Sequence, residues 1–377
     1  MTVEREIAGF SLPFAAGVLI SVLAGSSEID NHMAIASVSL TVATALLASL
    51  IQPSIRHRSG LLPYVLITVL ALCLGGFCGC TGSMLSWSRT DGRLIILAER
   101  CGARLGQSID ALPFSDPVTN AVIKALLTGE RHGIPHEITS VFRESGASHI
   151  LALSGFHLGI IYAIVKTLLG ILGNKKDAAT VRSCITMAIC GFYTLATGAG
   201  PSIVRALLFV ILHETAGLLH RHHSTASVLF AALIIQLTVS PTSITSVGFQ
   251  LSYAAMAGIA FIYPRLKESW PGNPMDDGRM TKAVRWVWNS AAMSISCQIT
   301  TAPLVWVHFH SFPQHFLLTN LLALPLTGLI IPVGICTVVL HAAGICPDLL
   351  TSLTEGLVNL LISSLDTIAQ TSTVPQG

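Results

Sequence analysis

Charged residues are scarce in this sequence. Only 11% of its 377 residues are Asp, Glu, Lys or Arg, whereas 52% are hydrophobic. A chain of this length with so little charge cannot cover a water-exposed surface, so the composition excludes a soluble globular protein. We therefore predict an all-α, polytopic integral membrane protein built as a helical bundle.

The sequence also lacks the motifs of several enzyme classes. It contains no Walker A motif, dinucleotide fingerprint, H-E-x-x-H or G-x-S-x-G, so we expect no ATPase, no catalytic residues and no cofactor. The nine cysteines form no C-x-x-C pair and no zinc spacing, and we interpret them as small hydrophobic residues. His308 and His310 have no nearby carboxylate and no third well-spaced histidine, so no metal site is predicted. The net charge of +2 does not by itself indicate nucleic acid.

Long apolar runs predict about eleven membrane-spanning helices, some of them broken. The runs fall near residues 8–24, 33–52, 61–86, 149–172, 182–199, 202–219, 225–240, 248–264, 285–305, 316–341 and 350–370. The run 316–341 contains Asn320 and Pro325, so we predict a broken helix or two half-spans there. The side of the membrane on which the C-terminus lies stays open.

Basic loops predict the orientation of the chain in the membrane. They are RHR (56–58), KK (175–176), HRHH (220–223) and the loop 264–285. With the N-terminus in the cytoplasm, all four loops are cytoplasmic, as the positive-inside rule requires. We thus divide the chain into N-terminal spans (1–86), an external loop (87–148) and a transmembrane channel domain (149–370). Helical periodicity at 93–107 and 117–128 predicts external helices on the membrane surface or capping the bundle.

The other motifs are arranged around the stretch 138–159. Apolar residues from Ile138 to Phe142 share one helical face, and Gly146 is placed where a helix ends. The run 149–172 then predicts a span of about 36 Å with His157 about 12 Å inside. Ser154 and His157 share a face of this helix, and ionisable groups at such depth usually face a polar interior.

Residues 197–206, TGAGPSIVRA, join a helix break to a basic side chain. Pro201 lies at the break between two predicted spans, and Arg205 follows in the first turn of the second one. A helix N-terminus with a guanidinium group favours phosphate binding. The alternative is a tight external hairpin whose arginine reaches the lipid headgroups.

Two further polar stripes lie on apolar helices. Ser246, Gln250 and Tyr253 share a face of a helix that can start at Ser246, which indicates either a lumen or a hydrogen bond between helices. Gln298 and Thr301 likewise share a face of a helix. Pro303 follows them, and we expect it to end or kink that helix.

The stretch ALLTGERHGIPHEITSVFRESGASHILALSGFHLGII resembles the competence domain of ComEC-type DNA-internalisation proteins. The later blocks GPSIVRA, SVGFQLSYAAMAGI, QITTAPLVWVHFHSFP and TNLLALP follow in that family's order, so the resemblance covers about 120–330. It implies a bacterial inner-membrane channel through which single-stranded DNA passes during natural transformation. Its expected partners are single-stranded DNA, membrane lipid, a separate nuclease and a cytoplasmic DNA motor.

A strand carries one negative charge per nucleotide, so its route needs cations and polar groups in a wet lumen. The candidate phosphate contacts are Arg131, Arg143, Arg205 and Ser202. The candidate lumen-lining residues are His149, Ser154, His157, Gln250, Tyr253 and Gln298. The candidate structural breaks are Gly146, Gly155, Pro201, Pro303 and Pro325.

The sequence departs from larger family members in two ways. The loop 87–148 is too short and too poor in strand signals for their OB-type domain, and no H-x-H-x-D-H run indicates their metallo-β-lactamase-like domain. We therefore expect nuclease activity to be absent from this chain or supplied by another polypeptide. The alternatives are a small-solute transporter, an intramembrane hydrolase using His157 with Ser154 or Glu144, and a scaffold subunit without a pore. The oligomeric state stays open.

Overall fold

The computed structural model describes residues 2–24, 61–84, 93–172, 176–219, 224–270, 278–310 and 315–372. Within these ranges the chain is helical and contains no strand, which confirms the predicted all-α membrane bundle. Among the described residues, four helical stretches are long and apolar enough to cross a membrane: Ala178–Ala196, Pro201–Leu218, Val247–Glu268 and Phe316–Ala342. The predicted span 33–52 and the basic loops at 56–58 and 220–223 lie outside the described residues, as does Lys175.

The described helices follow one another in chain order. In the described part of the chain they are α1 (Thr2–Ala24), α2 (Leu61–Met84), α3 (Arg93–Asp110), α4 (Pro117–Thr128), α5 (His136–Glu144), α6 (Ser148–Leu151), α7 (Gly155–Leu169), α8 (Lys176–Ala196), α9 (Pro201–Leu218), α10 (Thr225–Val239), α11 (Val247–Ala257), α12 (Tyr263–Glu268), α13 (Arg279–Phe309), α14 (Phe316–Ala342) and α15 (Asp348–Ser372). A π-helical turn, Gly258–Ile262, connects α11 to α12.

The chain divides into two compact units. The first comprises residues 1–90 and 219–260, and the second comprises residues 91–218 and 261–377. Helices α1, α2, α10 and α11 therefore belong to the first unit, and the remaining helices belong to the second.

Glycines bring α1 and α2 of the first unit into backbone contact. A Cβ atom added at Gly17 would collide with the carbonyl of Leu72, and one added at Gly75 would collide with the carbonyl of Phe14. Small residues permit this close packing, which is a common way for helices to associate in lipid. Phe14 and Val18 are buried beside the contact and belong to the hydrophobic core of this unit.

Replacing Gly17 by leucine is expected to destabilise the protein by about 1–3 kcal/mol, because an overpacked contact forces the backbones apart. The measurement is the thermal unfolding midpoint of the purified protein, together with its abundance in membranes. Gly9→Leu on the same helix is the matched control, since nothing lies within 4 Å of a Cβ atom there. Equal midpoints for the two variants would contradict the close contact.

Helix α4 lies in the core of the second unit. Most of its residues are buried, including Val122, Ile123 and Leu126. They pack in one cluster with apolar side chains of α14 and α15, among them Ile330 and Leu361. The predicted helix 117–128 is thus confirmed in its bounds. Its apolar face is enclosed by neighbouring helices and not by lipid, so the predicted place on the membrane surface is corrected, whereas the alternative of a cap on the bundle stays a prediction.

Polar contacts fix both ends of α4. The carboxylate of Glu355 in α15 accepts a hydrogen bond of 3.0 Å from the backbone N–H of Asp116, the N-cap residue. At the other end, the Tyr193 hydroxyl of α8 donates to the carbonyl of Leu127 at 2.8 Å. Helix ends expose unpaired backbone groups that must be satisfied when they are buried. These contacts tie α4 to α15 and α8.

Two predicted interruptions, a helix end at Pro303 and a break within 316–341, are corrected. Helix α13 continues through Pro303 as far as Phe309, and α14 is one helix that contains both Pro325 and Pro332. A proline removes only one backbone donor, and helices in membranes tolerate it when neighbouring groups compensate. The predicted half-spans within 316–341 are therefore a single helix of 27 residues.

Candidate functional site

The chain breaks between α6 and α7, inside the run that the sequence predicts as one span. Ala152 and Ser154 have extended backbone conformations, and α7 begins only at Gly155. The continuous helix 149–172 is therefore corrected to two helices, and the depth of His157 no longer follows from a helix that starts at His149. The sequence signal for this break is Ser154, a residue type that commonly caps helix N-termini.

Ser154 and His157 form a reciprocal cap at the start of α7. The backbone N–H of Ser154 donates to Nδ1 of His157 at 3.2 Å, and the Ser154 hydroxyl lies 2.9 Å from the same nitrogen. Because Nδ1 accepts from a backbone N–H, the neutral ring carries its proton on Nε2. His157 is only 1% exposed, and its Nε2 has no hydrogen-bond partner among the described residues. The ring thus presents a buried donor.

Arg205 lies in the first turn of α9, which begins at Pro201. Its side chain is 2% exposed, and its Nη2 donates to the Ser202 hydroxyl at 2.9 Å. The structure therefore turns this guanidinium group into the protein. An arginine that reached the lipid headgroups from an external hairpin would be exposed, so the buried Arg205 contradicts that alternative.

The N-termini of α7 and α9 lie side by side. A Cβ atom added at Gly155 would be 3.4 Å from Cβ of Ala206, and further along the helices Lys166 contacts Glu214. The two helices therefore run in the same direction. Both present the positive ends of their dipoles in the same region, beside the buried Arg205.

This region lies beside the middle of α14. A Cβ atom added at Gly328 would be 3.8 Å from Cζ of Phe156, in the first turn of α7. Gly328 is about 18 Å along a helix of about 40 Å, at 1.5 Å per residue. The N-terminus of α7 therefore lies beside the middle of α14, a helix that is long and apolar enough to cross a membrane. Helices that begin at the midplane occur at the substrate sites of transporters, with their N-termini facing anionic groups.

The break and the first turn of α9 thus form one candidate site, defined by Ser154, Gly155, His157, Ser202 and Arg205. Two helix N-termini, a guanidinium group and the Nε2–H donor of the histidine all favour an anion. A buried cation at membrane depth is rare and marks a functional site by default. Chemically, this arrangement is suited to binding a phosphate group.

The other predicted site residues lie elsewhere. Arg131 lies before α5 and Arg143 lies near its end, and both side chains are exposed. His149 is also exposed, and its Nδ1 is 3.1 Å from the carbonyl oxygen of Gly146. Gly146 has a φ of 81° in the turn after α5, as its predicted role as a break requires. Gln298 is partly buried on α13, and its Nε2 has no hydrogen-bond partner among the described residues.

Gln250 and Tyr253 belong to the first unit. Gln250 donates to the carbonyl of Ile244 at 3.1 Å, and the Tyr253 hydroxyl donates to Oε1 of Gln236 at 3.0 Å. Ser246 caps α11 by accepting from the N–H of Phe249, so the predicted helix start is confirmed. These bonds are local or join neighbouring helices of the same unit.

A second polar cluster, centred on Glu214, was not predicted from the sequence. Glu214 is buried and accepts from Tyr162 at 2.5 Å, Lys166 at 2.7 Å and Ser183 at 2.5 Å. The available signal was Tyr162 and Lys166, which lie four residues apart and so share a helical face in an apolar run.

Comparison with known proteins identifies similar sequences. The sequence model of the family described as Competence protein matches residues 126–376. The ComE operon protein 3 of Bacillus subtilis is 25% identical over 254 residues, which is 66% of this chain and 29% of that protein. Recombination protein 2 of Haemophilus influenzae is 23% identical over 248 residues, which is 63% of this chain and 30% of that protein.

An uncharacterised protein of Escherichia coli, YcaI, is 27% identical over 230 residues, which is 60% of this chain and 30% of that protein. The matched part of the chain therefore spans about three tenths of the length of these three relatives. No solved structure matches the chain. The family match includes all five residues of the candidate site.

Proposed function

Because the chain belongs to the Competence protein family, we propose that it forms a channel for single-stranded DNA in the inner membrane of a bacterium that takes up DNA by natural transformation. The observation that carries the proposal is the candidate site, where two helix N-termini and the buried Arg205 lie beside the middle of a membrane helix. A neutral solute does not require this concentration of positive potential.

The chemistry of the site fits a phosphodiester backbone. Each nucleotide brings one negative charge, and each charge loses its hydration when the strand enters the bilayer. A helix N-terminus stabilises an anion by about 0.3–1 kcal/mol when exposed and by up to about 2 kcal/mol when partly buried. Arg205 adds a full charge with planar geometry for a phosphate, and Ser202 orients it. His157 contributes an uncharged hydrogen-bond donor, Nε2–H. Because each of these contacts is modest, the phosphate can dissociate and the strand can advance.

The proposal has consequences for location and partners. The N-terminus lies in the cytoplasm, and the basic loops lie on the same side. The chain acts as a transporter and not as an enzyme, so a separate nuclease degrades the second strand and a cytoplasmic motor pulls the first. Membrane lipid surrounds the apolar helices.

The test is to delete the gene from its naturally transformable host and to supply labelled duplex DNA. Label is measured at the cell surface, between the surface and the inner membrane, and in the nuclease-protected cytoplasm. We expect label to accumulate outside the inner membrane, with cytoplasmic label restored by a plasmid copy of the gene. Normal cytoplasmic label in the deletion strain would refute the channel.

One observation favours an intramembrane hydrolase as a second candidate. The hydroxyl of Ser154 lies 2.9 Å from Nδ1 of His157, which is within reach for activation of a nucleophile by a base. The same contact caps α7, and no carboxylate orients the ring through Nε2 among the described residues. Turnover of a substrate by the purified protein, lost in Ser154→Ala, would favour this candidate over the channel.

A further inference from the structure

A second polar site lies at the opposite ends of α7 and α9. Glu214 is nine residues after Arg205 on α9, or about 14 Å along the helix. A pocket of about 270 Å³ opens beside it, between α7, α8 and α9. Its lining includes Lys166, Ala179, Arg182, His213, Glu214 and Gly217.

The lining of this pocket is basic. Lys166 and Arg182 contribute two positive charges, and Glu214 contributes one negative charge. Glu214 is 3% exposed and accepts from three side chains, so its carboxylate is enclosed by donors. The Lys166 side chain is 42% exposed, and His213 is also exposed. The accessible polar surface of the pocket therefore consists of cations and donors.

We infer that this pocket binds the phosphate of an anionic phospholipid headgroup. Lys166 lies in the last turn of α7, and Glu214 lies four residues before the end of α9. Helix ends of membrane spans meet the headgroup layer, and basic pockets between such helices bind anionic headgroups. The inference does not depend on what the channel transports.

The shape of the pocket also favours a lipid over a nucleic acid strand. Its volume of about 270 Å³ accommodates one phosphodiester headgroup. Ala179 and Gly217 leave the wall without bulky side chains, so the glycerol end of a lipid can pass beside them. Lys166 and Arg182 hold the phosphate from two helices, and His213 donates from a third.

The test uses the purified full-length chain in neutral detergent. Phosphatidylglycerol is titrated and binding is followed by native mass spectrometry, with phosphatidylcholine as the zwitterionic comparison. We expect preferential binding of phosphatidylglycerol, and Arg182→Gln is expected to weaken it about fivefold, since one basic residue near the surface contributes about that factor. Arg182→Lys keeps the charge and is expected to retain binding.

Arg104→Gln is the matched control, because Arg104 is an exposed arginine of the same unit on α3. Equal affinities of wild type and Arg182→Gln for phosphatidylglycerol would overturn the inference. Millimolar inorganic phosphate tests the source of the ligand: if it binds as tightly as the lipid and with the same dependence on Arg182, the pocket holds free phosphate and the lipid assignment is wrong. Displacement of the lipid by a single-stranded oligonucleotide, again dependent on Arg182, would assign the pocket to the DNA route and overturn the lipid site.

Discussion

Replacing Arg205 by glutamine is expected to lower the import of single-stranded DNA roughly ten- to a hundredfold. A hydrogen bond to a charged group contributes about 1.5–3 kcal/mol, which corresponds to this range of equilibrium constants. Arg205 is buried at the N-terminus of α9, so water cannot substitute for its charge when a phosphate passes. The measurement is nuclease-protected cytoplasmic label at equal membrane abundance of the variant.

The fate of the blocked DNA separates a transport defect from a folding defect. In the variant, label is expected to accumulate between the cell surface and the inner membrane, while the thermal unfolding midpoint stays close to that of wild type. Arg205→Lys retains the charge but not the planar geometry, and we expect it to recover part of the import. Arg104→Gln removes a charge from the exposed face of α3 and is expected to have no effect. Normal import by Arg205→Gln would exclude Arg205 from the route.

Replacing His157 by leucine is expected to reduce import about tenfold or more and to destabilise the protein by about 1 kcal/mol. The stability loss arises because the backbone N–H of Ser154 loses its acceptor at the start of α7. The transport loss arises because the buried Nε2–H donor disappears. The measurements are cytoplasmic label and the thermal unfolding midpoint.

His157→Gln separates these two roles. Glutamine at the third position of a helix can reach back to the N-cap backbone, as in the usual capping box, but it has no ring nitrogen that donates in the direction of Nε2. We therefore expect near-normal stability with reduced import. If His157→Gln imports DNA normally, the histidine serves only as a cap and not as a contact for the strand.

The sequence predicted the membrane class and most helices because apolar runs and helical periodicity report directly on local structure. Helix α4 is a clear case. Its predicted range of 117–128 agrees with the structure because Pro117 favours a helix start and Gly129, with a φ of 80°, ends it. Local chemistry marks both ends, and for that reason the bounds can be predicted from sequence. The same holds for Ser246, whose hydroxyl caps α11.

The environment of each helix could not be predicted in the same way. An apolar face looks the same in a sequence whether lipid or protein covers it, so the burial of α4 between α14 and α15 was missed. At the prolines, the sequence predicted helix interruptions that the structure does not contain. Pro303 and Pro325 lie within continuous helices, because a bundle can compensate for one lost backbone donor.

The candidate site was predicted in its residue types but not in its geometry. Ser154, His157 and Arg205 were chosen because polar groups are rare at membrane depth. Their assembly depends on α7 and α9 running side by side, with Gly155 against Ala206, and no local pattern encodes that pairing. The Glu214 cluster was missed for the same reason, since its donors come from α7 and α8.

The enclosure of α4 also constrains how the protein is made. Helices α14 and α15, which cover it, leave the ribosome about 10–40 s after α4 at ordinary rates of synthesis. Throughout that interval, the face carrying Val122, Ile123 and Leu126 has none of its final neighbours from these two helices. The insertion machinery or lipid must therefore cover this apolar face of the nascent chain until residues 316–372 have been synthesised. A chain that is terminated before Phe316 would lack α14 and α15, so the apolar face of α4 would have no packing partner from these two helices.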